Sequence, residues 1–163
     1  MEKKTTFIQL VEDNERLIYK VASFYTDNGD DRDDLVQEII YNLWRSFQSF
    51  KNNSSLTTWM YRVAMNVSIL YLKKNKRRIA TVPINEEVSN VEDTPVDNFE
   101  ENLLKLQKHI QQLNLLEKGI VMLYLESRSH EEIAEITGLS KTNVGTKLSR
   151  IKEKLKQQVS KNN

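Results

Sequence analysis

The sequence predicts an all-α protein made of two small helical domains that a flexible acidic linker joins. The chain has 163 residues but only four glycines and two prolines, and a sheet built from hairpins needs more turn residues than that. Apolar residues instead recur at helical spacing in two long stretches. Between them, residues 79–102 contain both prolines, seven acids and no base. We therefore place the domains at residues 1–78 and 103–163, with the linker at 79–102.

Composition narrows the chemistry that the chain can perform. It has no cysteine, which excludes disulfides and thiolate metal sites. Its two histidines, His109 and His130, argue against a zinc site or a catalytic triad. No apolar run reaches the ~18 residues that a membrane span requires, and the N-terminal stretch lacks the apolar core of a signal peptide. We therefore expect a cytoplasmic protein without catalytic residues, metal or other cofactor.

Three helices are predicted in the first domain. Residues 5–27 carry a helical apolar stripe, and Asn28 with Gly29 is expected to end this helix, because glycine accepts the left-handed conformation. Acidic residues at 30–34 open the second helix, where carboxylates complement the positive N-terminal end. The turn at 51–55 is polar, and Ser54 or Ser55 is expected to cap the third helix.

The third helix starts at Leu56, is apolar on one side and ends in a cationic segment. Its expected core stripe consists of Leu56, Trp59, Met60, Val63, Ala64, Val67 and Leu70. Arg62, Asn66 and Lys73 share one flank away from this stripe. From Arg62 to Arg78 there are six bases and no acid. Such a helix suits the phosphates of a nucleic acid, although the helix dipole alone also favours lysines near a C-terminus.

A second apolar group on this helix lies outside the core stripe. Met65, Ile69 and Leu72 fall on the far side of the helical wheel. Either the helix is wedged between two neighbours, or these residues form a patch that faces a partner.

A helix-turn-helix is predicted in the C-terminal third. Ser129 and Glu132 form a capping box that begins a short helix, His130 to Thr137. Gly138 makes the turn, and Ser140 caps the following helix. In such a unit the second helix enters the major groove and directs its N-terminal residues at the bases.

The second helix of this unit divides into a core face and a candidate DNA-binding face. Val144, Leu148 and Ile151 are expected to pack against the first helix. The candidate DNA-binding residues are Ser140, Lys141, Thr142, Asn143, Thr146, Lys147 and Arg150. Asparagine can pair with adenine and arginine with guanine, while the lysines can reach phosphates.

Three stretches of the sequence resemble the extracytoplasmic-function group of bacterial sigma factors. They are DRDDLVQEIIYNLW at 31–44, SLTTWMYRVAMNVSILYLKKNKRR at 55–78 and LEKGIVMLYLESRSHEEIAEITGLSKTNVGTKLSRIKEKL at 116–155. The resemblance covers about residues 7–156. It implies that the first domain is sigma region 2 and the second is sigma region 4. It also implies a non-enzymatic subunit that directs core RNA polymerase to promoters and helps to open the duplex.

Three binding surfaces follow from the resemblance. The largest polymerase subunit would contact Asp34, Gln37, Glu38 and Asn42. The −10 element would contact Asn53, Ser54, Ser55, Tyr61, Arg62, Asn66, Lys73, Lys74, Arg77 and Arg78. The −35 element would contact the candidate face of the helix-turn-helix. A flipped base would be captured by the 51–55 loop and the helix near Asn66, because capture returns part of the cost of unpairing. Trp59 is expected in the core, and Tyr61 is expected to point outward towards DNA.

The implied partners include a protein that controls access to DNA. Ile69, Leu70 and Gly145 depart from the family pattern. We therefore expect that another factor helps to choose the promoter, or that an anti-sigma protein masks the surface around Met65, Ile69 and Leu72. The linker would either serve as a soluble tether or place its acids in a cationic channel of the polymerase.

Two other functional classes remain open from the residues alone. A stand-alone repressor or activator would use the helix-turn-helix but would leave the second helix and the acidic linker without a role. An enzyme acting on nucleic acid would need a catalytic carboxylate cluster, an activated nucleophile or a phosphate-binding glycine loop. The acidic residues Asp30, Asp31, Asp33 and Asp34 could in principle bind Mg²⁺, but the positive end of the helix dipole explains them better.

Overall fold

The computed structural model describes residues 2–50, 54–79 and 98–161, and within these ranges it contains helices and no strand. The helices are α1 (Glu2–Asp13), α2 (Glu15–Tyr25), α3 (Gly29–Phe47), α4 (Leu56–Ile79), α5 (Asn98–Gln111), α6 (Leu115–Leu125), α7 (His130–Thr137) and α8 (Lys141–Lys161). The all-α prediction is confirmed. Most of the predicted linker lies outside the described residues, and α5 begins within the part of it that is described.

The prediction of one continuous helix over residues 5–27 is wrong, because α1 and α2 meet at Asn14. The Asn14 side-chain amide donates a hydrogen bond to the backbone oxygen of Leu10 at 2.9 Å. Asparagine side chains compete in this way with the backbone hydrogen bonds of a helix.

Gly29 does not end a helix, which is a second correction. It is the first residue of α3, while Thr26 in extended conformation follows α2. The side chain of Asn28 accepts a hydrogen bond from the Asp31 backbone nitrogen at 2.8 Å. This contact satisfies one of the free amides at the start of α3, so the Asn-Gly pair starts a helix here.

The first unit, α1–α4, has a core in which α2, α3 and α4 pack against one another. Its most deeply buried apolar side chains are Ile18, Val21, Ala22, Leu35, Ile39, Leu43, Met60 and Ala64. Helix α1 covers the edge of this core through Phe7, whose ring centroid lies 5.0 Å from that of Trp44 and 5.5 Å from that of Phe47. This packing fixes the outer faces of α3 and α4 relative to each other.

The second unit, α5–α8, contains the predicted helix-turn-helix. The Ser129 hydroxyl accepts a hydrogen bond from the Glu132 nitrogen at 3.1 Å, and the Ser140 hydroxyl accepts one from the Asn143 nitrogen at 3.1 Å. Gly138 ends α7 with φ of 82°, the left-handed conformation that glycine tolerates. The helix bounds, both caps and the turn are therefore confirmed.

The two units are in direct contact. Helix α4 packs on α6 and α7, and α2 also contacts α6. The Lys20 ammonium lies 2.7 Å from the Glu126 carboxylate across this contact. The second unit therefore covers the middle of α4 on a side that the first unit leaves free.

Candidate nucleic-acid interface

The start of α4 is fixed by a cap and by an aromatic cluster. The Ser55 hydroxyl accepts a hydrogen bond from the Thr58 nitrogen at 3.1 Å, which confirms Ser55 as the cap. Trp59 is buried, with its ring centroid 4.8 Å from that of Phe50 and 6.5 Å from that of Phe47. The expected core position of Trp59 is confirmed. Ser54 is half-buried just before this cap, while the predicted contact residue Asn53 lies outside the described residues.

The apolar stripe predicted for α4 is right at its centre and wrong at its ends. Met60 and Ala64 are buried, but the side chains of Leu56 and Leu70 are 37% and 65% exposed. Met65 is buried on the opposite side. The reason is that α4 is packed between the first unit and helices α6 and α7, so its middle is covered on both sides. Of the two alternatives for Met65, the wedged helix is therefore the correct one.

Tyr61 does not point outward, contrary to the prediction from sequence. Its side chain is 3% exposed. The guanidinium carbon of Arg128, just before α7, lies 5.2 Å from the centroid of the Tyr61 ring, within the range of a cation–π contact. In this arrangement Tyr61 stacks on a residue of the second unit and offers no face to a base.

The predicted polar flank of α4 is partly exposed to solvent and partly bonded to the second unit. Arg62 is half-buried, and its guanidinium donates a hydrogen bond to the backbone oxygen of Glu135 at 2.6 Å. Asn66, Lys73 and Lys74 are exposed. The side chains of Arg77 and Arg78 lie outside the described residues. The described part of this flank therefore presents one amide, in the middle of α4, and two ammonium groups, closer to its C-terminal end, to solvent.

Helix α8 presents the predicted recognition face. Ser140, Lys141, Thr142, Asn143, Thr146 and Arg150 are exposed, and Lys147 is half-buried. Val144, Leu148 and Ile151 are buried beneath them. The Lys141 ammonium lies 3.0 Å from the Glu131 carboxylate, a contact between exposed groups that a phosphate could replace. Near Gly145, His130 is exposed, as expected.

Helix α3 carries the residues expected to contact polymerase. Asp34, Gln37 and Glu38 are exposed and Asn42 is half-buried, and their spacing places them on one helix face. The Asn42 amide donates a hydrogen bond to the Glu38 backbone oxygen at 2.8 Å. A groove of about 590 Å³ runs between this face and α4 and includes Glu38, Asn42 and Leu70.

Tyr41 is a feature of α3 that sequence reasoning missed. Its side chain is 58% exposed and lies beside the guanidinium of Arg45, which is 5.8 Å from the ring centroid. An exposed aromatic residue next to a cation is typical of contact surfaces between proteins. Its position between the predicted contact residues was the signal available in the sequence.

Comparison with known proteins identifies the family. The Sigma-70 region 2 family matches residues 10–78, and the Sigma-70 region 4 family matches residues 103–155. The ECF RNA polymerase sigma-E factor of Escherichia coli (strain K12) is 33% identical, with 83% of this chain and 77% of that protein covered. This chain belongs to the extracytoplasmic-function sigma factors. The RNA polymerase sigma factor SigV of Bacillus subtilis (strain 168) is 28% identical over 99% of this chain and 98% of its own.

Solved structures with the same fold extend over nearly the whole sigma factor. The sigma factor RpoE of Bartonella quintana, solved in complex with the anti-sigma factor NepR, matches with a TM-score of 0.71, 20% identity, and coverage of 95% of this chain and 97% of that one. CnrH, solved in complex with the cytosolic domain of CnrY, matches with a TM-score of 0.67, 17% identity, and coverage of 98% and 91%. The sigma factor binds core RNA polymerase and initiates transcription at specific promoters.

A cleft of about 900 Å³ separates the two units of the sigma factor on one side. Ile69 and Leu72 of α4 line it, together with Leu113 and Leu116 of the second unit. Lys118 also lines it, with 9% of its surface exposed.

Lys118 places a buried cation in this cleft. Its ammonium donates a hydrogen bond to the Gln111 side-chain oxygen at 3.0 Å. Burial lowers the pKa of Lys118, and the nearby Asp27 carboxylate acts in the opposite direction. The cleft therefore combines an apolar wall with a cation.

Among the residues that the structure describes, no group of three or more histidine, aspartate or glutamate side chains could hold a metal ion. No helix within the described ranges is long and apolar enough to span a bilayer.

Proposed function

We propose that this sigma factor binds core polymerase through α3, holds the −10 element with α4 and reads the −35 element with α8. In this proposal it acts in the cytoplasm as a non-enzymatic initiation subunit. It supplies binding energy and positions the DNA, and the polymerase performs the chemistry.

The exposed face of α8 is the observation that carries the proposal. Thr142, Asn143 and Arg150 are exposed above a firmly buried Val144 and Leu148. A rigid helix with short polar residues at its N-terminal end can approach base edges closely. Asn143 would pair with adenine and Arg150 with guanine, each a contact that discriminates among bases.

Helix α4 supports the second part of the proposal. Asn66 is exposed on the same flank as Lys73, and Lys74 follows. The two lysines would bind phosphates, which positions the strand without reading its sequence. Asn66, which carries both a donor and an acceptor, would then contact an unpaired base.

Reconstituted transcription tests the proposal. Core polymerase with this protein should give a defined start site that neither component gives alone. Arg150→Ala should lower run-off product about tenfold or more, since a good base contact contributes about 1–3 kcal/mol. Gln157→Ala, which changes another exposed residue of α8, should leave the product unchanged. A footprint of the protein alone on promoter DNA, without any polymerase-dependent start, would instead establish a stand-alone regulator.

We also propose that an anti-sigma protein inserts an apolar segment into the cleft between the units. Two of the solved structures with this fold are complexes, one with the anti-sigma factor NepR and one with the cytosolic domain of CnrY. Ile69 and Leu72 line the cleft here. Leu72→Glu should release the sigma factor from inhibition in its host and raise transcription of its target genes. Leu104→Glu, at a position that is 58% exposed on α5, is the matched control and should not raise it.

A further inference from the structure

We infer that His130 of α7 is a further DNA contact of region 4. Its imidazole stands in for the side chain that Gly145 lacks on α8, and it donates a hydrogen bond to a phosphate beside the −35 element. The inference rests on the proposed role of α8 in reading that element. It adds a contact from α7, whereas the predicted −35 contacts all belong to α8 or to its cap.

One flank of α8 has a gap at its centre. Lys141, Gly145 and Ser149 are spaced by four residues and therefore form one row along the helix. A helix about 10–12 Å across nearly fills a major groove about 12 Å wide, so the flanks of a recognition helix face the phosphates of the two strands. Lys141 and Ser149 are exposed at the two ends of the row, but the glycine between them has no group that reaches a phosphate.

The imidazole of His130 lies beside this gap. A Cβ atom built on Gly145 would be 3.6 Å from Nδ1 of His130 and 3.8 Å from its Cε1. Both are ordinary van der Waals distances, and both atoms belong to the same ring. The ring therefore borders the position at which a side chain of residue 145 would begin, and α7 supplies a polar group where α8 has none.

The ring is available to bind DNA. His130 is exposed, and within the described ranges its side chain has no hydrogen-bond or ion-pair partner. An imidazole carries at least one N–H donor whether it is neutral or protonated. The two acids that follow it are paired with cations, Glu131 with Lys141 at 3.0 Å and Glu132 with Arg128 at 3.3 Å. Their charges therefore oppose the approach of a phosphate less than free carboxylates would.

Binding of the holoenzyme to a promoter duplex tests the contact. The duplex is one whose start site has been mapped by run-off transcription. His130→Ala should weaken binding about tenfold, because a hydrogen bond to a charged group contributes more than one between neutral groups. His130→Gln keeps an N–H donor and should recover part of the loss. Gln157→Ala, at an exposed position of α8, is the control and should bind as the wild type does. Equal affinity for the wild type and His130→Ala would overturn the inference.

Substitution of single phosphates identifies the partner of the ring and excludes a general loss of stability as the cause. Phosphates on both strands of the −35 element are replaced one at a time by uncharged methylphosphonates. At one position the replacement should weaken the wild-type holoenzyme about tenfold more than the His130→Ala holoenzyme, since interacting groups give non-additive effects. Equal losses for the two proteins at every position would show that His130 bonds to no phosphate.

Gly145→Gln tests whether the ring replaces the missing side chain. In the His130→Ala background it should restore most of the lost affinity, because an amide donor then starts from the place beside which the ring lay. In the wild type, where the ring already provides the donor, it should change affinity little. Equal gains in the two backgrounds would contradict the replacement.

These measurements separate the inference from the proposed function. A wild-type holoenzyme that starts transcription but leaves the −35 element unprotected in a footprint would overturn the role of α8 itself. Protection by the wild type, with no effect of His130→Ala at any phosphate, would leave that role intact and overturn the His130 contact alone.

Discussion

The hydroxyl of Tyr25 in α2 donates a hydrogen bond to the backbone oxygen of Leu115, the first residue of α6, at 3.1 Å. The contact joins regions 2 and 4 of the sigma factor. Tyr25 is 3% exposed, and burial raises its pKa well above the usual value of a tyrosine, because the phenolate would lose its hydration. The junction between the units is therefore sensitive to ionisation of this hydroxyl.

Tyr25→Phe is expected to lower the free energy of unfolding by about 1 kcal/mol at neutral pH, the net contribution of one hydrogen bond. A raised pKa in the folded state means that the stabilising effect is present below the unfolded pKa of about 10 and is lost as pH rises above it. The stability difference between wild type and variant should therefore shrink between neutral pH and pH values above 10. Urea unfolding followed by circular dichroism, carried out at several pH values, measures this stability difference.

Tyr41→Phe is the matched control at a tyrosine that is 58% exposed, and it should leave the free energy of unfolding at neutral pH close to that of the wild type. A difference between wild type and Tyr25→Phe that stays constant with pH would show that Tyr25 ionises equally easily in both states.

Sequence reasoning succeeded where short-range chemistry decides the structure. The caps at Ser55, Ser129 and Ser140 each depend on a backbone nitrogen three residues away. The turn at Gly138 depends on one dihedral angle. Such features are encoded within a few residues. Ser129, Ser140 and Gly138 were predicted correctly, and Ser55 was one of the two alternatives, Ser54 or Ser55, predicted for its cap.

Prediction from sequence failed where the second unit changes the environment of a helix in the first. Periodicity assigned Leu70 to the core and Tyr61 to the surface, and the structure reverses both. A helical wheel shows one apolar stripe, whereas α4 is covered by different neighbours on two sides of its middle. Gly119 was overlooked for the same reason, because its partners Met65 and Tyr25 are distant in sequence.

Gly138→Ala is expected to destabilise region 4 by about 1–2 kcal/mol, the cost of a left-handed conformation for a residue with a Cβ. The cost is one of backbone conformation, since no atom lies within 4 Å of a Cβ built there. Gly138→Asn should cost less, because asparagine tolerates this conformation. Thermal unfolding followed by circular dichroism should give melting temperatures that fall in the order wild type, Gly138→Asn, Gly138→Ala. Equal melting temperatures for Ala and wild type would contradict the observed φ of 82°.

The α3 face is expected to determine affinity for core polymerase. Changing Gln37 and Glu38 together to alanine should weaken binding of the sigma factor to core about tenfold, since a few contact residues carry most of the binding energy of an interface. Glu12→Ala, which removes an exposed carboxylate from α1, is the control and should bind as wild type does. Fluorescence anisotropy of the labelled sigma factor, titrated with core, measures both. A parallel loss in the control would point to net charge as the cause.

The final prediction separates phosphate contacts from base contacts in the holoenzyme. Lys73→Ala and Lys74→Ala should each weaken binding to all promoter sequences and reduce the slope of log K against log salt by about 1, because each removes one released counterion. Asn143→Ala should leave that slope unchanged and lose about 1–3 kcal/mol of discrimination at one base pair of the −35 element. Filter binding is measured over a range of salt concentrations and on promoters with single base-pair substitutions. The two series distinguish phosphate contacts from base contacts. A reduced salt slope for Asn143→Ala would place that side chain on the phosphate backbone.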